Sequence, residues 1–183
     1  MKLHFTKGLK KEDFRVVIFG SARIKNGDKS YKQVYELAKG IGEAGADLVT
    51  GGGPGLMEAA SRGHEDGTPH NEYKTIGLNI KLPFEQKANK HLDVVEDFDQ
   101  FSDRLNTFIG ISNVIVVAEG GIGTVLELFF AWQLMQVKHI WKMPIILVGD
   151  MWSDLIKWVK KRQLARKLIS KEDLEYVVVA KNI

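Results

Sequence analysis

The sequence predicts a doubly wound α/β fold, a parallel sheet flanked by helices on both faces, and three observations carry that prediction. Short β-branched runs alternate with longer stretches of helical period. The short runs are apolar throughout instead of at every second residue, as strands covered on both faces must be. Three strand-to-helix junctions carry glycine turns, at Gly20-Ser21, at 51–55 and at 120–124. In such folds ligands sit beyond the carboxyl ends of the strands, where these turns lie.

Taken in order, FRVVIFGSA (14–22) reads as a buried strand opening onto a Gly-Ser turn. SYKQVYELAKGIGEAG follows as a helix begun by Ser30, with Tyr31, Val34, Tyr35, Ala38, Ile41 and Gly42 on one face. ADLVTGGGPGLMEAASRGHEDG is a second strand and helix, the helix expected to start at Pro54, whose fixed φ and missing N–H suit a first turn. KTIGLNI and HLDVVEDF are further strands, and DQFSDRLNTFIGIS a helix. NVIVVAEGGIGTVLELFFAWQLMQ is a strand running through a glycine turn into a helix, and MPIILVGD with MWSDLIKWVKK repeats the theme. The tail, LARKLISKEDLEYVVVA, reads as a short helix and a last extended segment. With no Pro/Gly/Ser-rich linker and no repeat of 20 to 50 residues, residues 1–183 form one domain.

Composition removes several classes of function. With 44% hydrophobic residues and a net charge of only +3 in 183 residues, the disordered class is excluded, and no apolar run approaches the ~18 residues of a membrane span. Zero cysteine removes disulfides, thiol catalysis and cysteine-ligated metals. The start, MKLHFTKGLKKEDF, is basic without the apolar stretch of a signal peptide, so a cytoplasmic protein is expected. His4, His64, His70, His91 and His139 show no i, i+4 pairing with acids, and no metal site is expected. No G-x-S-x-G elbow is present for a serine hydrolase. The tryptophans at 132, 141, 152 and 158 fall mostly at helical spacing and read as core or interface. The basic run from Lys157 to Lys167 permits nucleic-acid contact, but acids interrupt it and a solvated helix face is the expectation.

Seven of the 18 glycines fall in two clusters, Gly51, Gly52, Gly53 and Gly55, then Gly120, Gly121 and Gly123. A glycine between strand and helix serves a tight turn or a close backbone approach, and the helix N-terminus behind it offers free N–H groups to an anion. Neither cluster is a standard nucleotide fingerprint: G-x-G-x-x-G would need glycine at Leu126, and no G-x-x-x-x-G-K-[ST] occurs. Glu127 follows Thr124 by three residues, which either stands a carboxylate at the mouth of a site or completes a T-x-x-E capping box; spacing favours the cap. Arg104, by spacing, reads as a solvated helix charge paired with Asp99 or Asp103.

Together, GGGPGLMEAA (51–60) and EGGIGTVLE (119–127) resemble the paired motifs GGGxxGLM and PGGxGTxxE of the Lonely Guy proteins, cytokinin riboside 5′-monophosphate phosphoribohydrolases often mislabelled as lysine decarboxylases. The resemblance runs through VVIFGSAR (16–23), IGLNIKLPFEQ, the RLNTF segment and PIILVG (144–149). It implies a Rossmann-like homodimer or higher homo-oligomer that hydrolyses the N-glycosidic bond of a nucleoside 5′-monophosphate to free base and ribose 5-phosphate. No metal or organic cofactor, nucleic acid or membrane is implied. Glu127 is the glutamate of the second motif and Arg104 the arginine of the family's RK pair. Gly120, Gly121, Gly123 and Thr124 would hold the phosphate, with Ser21, Gly52, Gly53 and Gly55 along the sugar–phosphate groove and Leu56 and Met57 near the base. The apolar helix around Leu128 to Met135 agrees with a dimer.

Two positions depart from the family pattern. The motif's proline is Glu119 and the lysine of the RK pair is Leu105. Both changes oppose anion binding if the side chains face the ligand; at an effective dielectric of about 20, one charge at 4 Å contributes on the order of 4 kcal/mol. They motivate an alternative, a non-catalytic nucleotide or molybdenum cofactor carrier on the same fold.

Overall fold

The computed structural model describes residues 9–10, 12–68, 72–83 and 87–180. His4, His70 and the last part of IGLNIKLPFEQ, 84–86, lie outside them. The elements are β1 (Arg15–Phe19), α1 (Lys29–Glu43), β2 (Asp47–Thr50), α2 (Leu56–Gly67), β3 (Thr75–Ile80), β4 (Val94–Phe98), α3 (Phe101–Ile111), β5 (Val114–Val117), α4 (Ile122–Gln136), β6 (Ile145–Val148), α5 (Asp150–Trp158) and β7 (Val177–Ala180). All strand pairings are parallel, in the order β4-β3-β2-β1-β5-β6-β7. The chain therefore builds outward from β1 on one side, returns, and builds outward on the other. Between β1 and β5 the order reverses, and there the two loops after the strands diverge and leave a crevice.

Each central strand sends alternate side chains to two separate cores, which is why the strands read as unbroken apolar runs. Val16 and Ile18 of β1 pack with Tyr31, Val34 and Ala38 of α1 and Leu56, Ala59 and Ala60 of α2. Val17 and Phe19 pack on the opposite face with Phe108 of α3, Leu128, Ala131 and Trp132 of α4, and Trp152 of α5. Helices α1 and α2 lie unusually close. A Cβ on Gly63 would stand 2.1 Å from the Tyr35 carbonyl oxygen, so no larger residue fits at that crossing.

Several boundaries differ from the sequence expectation. α1 starts at Lys29 with Asp28 at its cap position, one residue before Ser30. α2 starts at Leu56 after Gly55, not at Pro54; Gly55 takes a φ of 72° to bring the helix under the Ser21–Ala22 backbone. α5 widens into a π-helical turn at Val159–Gln163, and the last extended segment is an edge strand paired with β6. Trp132 and Trp152 are core residues, whereas Trp141 and Trp158 are exposed. Among the described residues no helix is long and apolar enough to cross a membrane.

Candidate active site

The crevice at the strand-order reversal is closed by backbone hydrogen bonds. The Ser21 amide donates to the Glu119 carbonyl at 3.0 Å, tying the loop after β1 to the loop after β5. The Leu56 amide donates to the Ser21 carbonyl at 2.9 Å, tying the same loop to the start of α2. Inside lies a cavity of about 500 Å³.

At its floor, Glu127 Oε1 lies 3.6 Å from Arg104 Nη1, with both side chains largely buried at 13% and 10% exposed. Arg104 is held by its Nε, which donates to the Leu78 carbonyl at 2.6 Å, and its guanidinium lies 5.0 Å over the Phe108 ring. Gly51 makes room for it, because a Cβ there would meet Arg104 Nη2 at 2.4 Å. The expectation of a solvated Arg104 paired with Asp99 or Asp103 is thus corrected: Asp99 pairs with Lys81 instead, at 2.9 Å. Burial pushes the Glu127 carboxyl up to about 7 against the opposing pull of the Arg104 charge, and burial lowers Arg104 in turn.

The capping-box reading of Glu127 is also corrected. α4 has Gly121 at its cap, which puts Thr124 at the third helical position and Glu127 at the sixth, with no side-chain cap hydrogen bond. Among the described residues no side chain hydrogen-bonds the first-turn amides of α4. Gly121, Gly123 and Thr124, which begin that helix, line the cavity together with Glu127, Arg104, Ser21 and Met57. A helix N-terminus and a buried carboxyl–guanidinium pair thus share one enclosure, a combination suited to an anionic ligand whose reacting part gains positive charge.

Other sequence candidates sit elsewhere. Leu56 is fully buried beneath Gly20. The carbonyls of Gly52 and Gly53 accept hydrogen bonds from the Asn89 side-chain Nδ2, both at 3.1 Å. Gly55 faces an adjoining groove, and Gly120 packs against the Thr124 side chain. Phe101 and Ile122, which no sequence motif marks, are exposed at 52% and 87% and form an apolar rim at the mouth. Their only signal was an apolar residue at each helix's first position.

The two departures from the motif turn away from the cavity. The Glu119 carboxylate accepts a hydrogen bond from Ser30 Oγ at the start of α1 and lies against Gly149 before α5, where two helix N-termini favour its charge. Leu105 is buried and is not among the residues that line the cavity. Among the described residues no group of three His, Asp or Glu is placed to hold a metal ion. His64 is fully buried between Thr75 Oγ1 and the Ala46 carbonyl, and His91 pairs with Glu65.

A family model described as possible lysine decarboxylase matches residues 57–183. The pyrimidine/purine nucleotide 5′-monophosphate nucleosidase of Escherichia coli K12 is 26% identical over 140 residues, covering 73% of this chain and 30% of that protein, so the match spans under a third of its length. Among solved structures, the molybdenum cofactor binding protein of Rippkaea orientalis superposes with a TM-score of 0.65 at 22% identity, covering 93% of this chain and 90% of that one. The molybdenum cofactor carrier protein of Chlamydomonas reinhardtii gives 0.64 at 25% identity, with 93% and 91% covered.

Proposed function

Because the chain belongs to the possible lysine decarboxylase family, and because its buried Glu127–Arg104 pair shares a cavity with a free helix N-terminus, we propose that it hydrolyses the N-glycosidic bond of a nucleoside 5′-monophosphate. The pair is the observation that carries this reading. The name of the Escherichia coli relative supports the substrate class, and the lining of the cavity supports a glycosidase over a decarboxylase, since among the described residues no lysine side chain lines it to form an imine with a cofactor.

Hydrolysis replaces the C1′–N bond with a bond from C1′ to water oxygen; the bonding pair leaves with the base, and the proton the water loses ends on that base, so the products are ribose 5-phosphate and the neutral base. Positive charge builds on the ribose as the bond breaks. An ionised Glu127 stabilises that charge and orients the water, while Arg104 fixes the carboxylate and binds sugar or phosphate oxygens. The amides at Gly121, Gly123 and Thr124 take the 5′-phosphate, and Ser21 with Met57 lines the remainder. Binding energy from the phosphate thereby positions a bond it does not touch. In the same reading a second copy of the chain covers the apolar rim at Phe101, Ile122 and Leu126.

Incubation with AMP and with isopentenyladenosine monophosphate, followed by chromatography of the free base, tests the proposal. Release by the wild type and its loss in Glu127→Gln is the expected result; no release, or equal release by the variant, overturns it. The structural likeness to molybdenum cofactor carriers over 93% of the chain supports a second reading, a carrier. Ligand-induced thermal stabilisation without turnover is its signature.

A further inference from the structure

A second concavity lies back to back with the catalytic cavity, on the other side of the segment 22–23, which forms a wall of both. It runs between the 22–26 loop, the start of α2 and the segment at 90–91, and its volume is about 800 Å³. Its chemistry differs from that of the cavity. Arg23, Lys25, Arg62 and Lys90 line it, and Glu58 alone is acidic among the lining residues, leaving a net charge of +3. Elsewhere on the surface the ammonium groups of Lys81, Lys157 and Lys39 have carboxylates within 4 Å; among the described residues none lies that close to the charged ends of Arg23, Lys25, Arg62 or Lys90. Arg62 lies 5.8 Å over the Tyr35 ring, a contact that leaves its charge in place. Four cations with one carboxylate among them repel one another, and an anion between them removes that cost.

The groove also has a fixed floor. Tyr31 is buried there, and burial and the nearby Glu58 charge push its phenol upward, so the hydroxyl remains protonated and able to donate. The Arg23 amide is held by Ser21 Oγ at 3.0 Å and the Lys25 amide by Asp28 Oδ2 at 2.9 Å, which sets the course of the loop that carries two of the cations.

We propose that this groove is a second anion-binding site, separate from the catalytic cavity, that takes a small compound bearing a diphosphate or triphosphate group. Charge selects the class. One phosphate monoester carries about −1.5 to −2 at neutral pH and leaves the groove positive, whereas a second phosphate brings the total close to balance. Arginine at two of the four positions suits paired phosphate oxygens, which its fork engages two at a time.

Calorimetric titration of the full chain with inorganic pyrophosphate, using orthophosphate as reference, tests the site. Pyrophosphate binds the wild type more tightly than orthophosphate, and its Kd rises at least tenfold in Lys25→Glu/Lys90→Glu and, independently, in Arg62→Glu. In Gly123→Asp, which sets a carboxylate before the α4 amides in open space, pyrophosphate binding persists within threefold. Thermal unfolding of each ligand-free variant identifies any that has lost its fold, and the remaining variants carry the comparison. Failure of the wild type to bind pyrophosphate at millimolar concentration overturns the proposal. So does unchanged binding in the groove variants, or loss of binding in Gly123→Asp, since a site separate from the cavity does not need Gly123.

Discussion

At Glu127, burial raises the carboxyl while the guanidinium 3.6 Å away lowers it, and burial is the stronger effect. Ionised Glu127 is the form that stabilises positive charge on the ribose, so kcat/KM rises with pH along an acid limb centred near 7 and then levels. Arg104→Ala removes the opposing charge and moves that limb to higher pH; a limb unmoved in the variant contradicts the pairing. Glu127→Gln keeps shape and loses charge, and activity falls by about 10²–10³-fold, the range for loss of one preorganised electrostatic group. Product chromatography at saturating substrate measures it. The family resemblance singles these two residues out, but their burial and pairing are not legible in the sequence. Arg104 looks like a solvated helix charge because the glycine that opens its berth is Gly51, 53 positions earlier in the chain. Glu127 looks like half a cap because T-x-x-E does not reveal that α4 starts at Ile122.

Elements were more legible than residues. Strands covered on both faces leave apolar runs that local reading finds, and β1, β2, β3, β5 and β6 all fall on such runs. The starts of α1 and α2 were displaced by one or two residues because turn geometry, not side-chain propensity, decides them; Gly55 with its positive φ outweighs Pro54. The close crossing of α1 and α2 was not legible at all, since a glycine inside a helix reads locally as a weakness. Gly63→Ala drives a methyl group onto the Tyr35 carbonyl and costs about 1–3 kcal/mol, seen as a lower midpoint in chemical denaturation with an unchanged slope. Gly40→Ala, in the same helix pair with open space around it, leaves the midpoint the same or higher.

For the whole molecule, two buried groups give opposite responses to acid. Burial lowers His64, so the unfolded chain binds the extra proton and His64 costs stability as pH falls below about 6.5. Glu127 is raised, so the folded chain holds the extra proton and loses stability as pH rises from 4.5 toward 7. Glu127→Gln removes the second response. The variant gains midpoint temperature relative to the wild type as pH rises from 5 to 8, whereas a constant difference contradicts the raised carboxyl. Light scattering tests the assembly: a dimer that Ile122→Lys converts to monomer supports a second copy on the rim, and a wild-type monomer at micromolar concentration argues against it.

The strand order has a further consequence for how the molecule comes into being on the ribosome. β1, the centre of the finished sheet, is made before the other six strands and pairs with β2 on one edge, with β3 and β4 beyond it, while its other edge stays unpaired until residues 114–117 are made. For nearly one hundred residues of synthesis the hydrogen-bonding edge of the central strand is open to any extended chain nearby. Arg104 leaves the exit tunnel before that edge is closed and Glu127 after it, so the two halves of the proposed catalytic pair belong to successive stages of assembly. A chain that ends before β5 has the arginine without its carboxylate and an unpaired central edge.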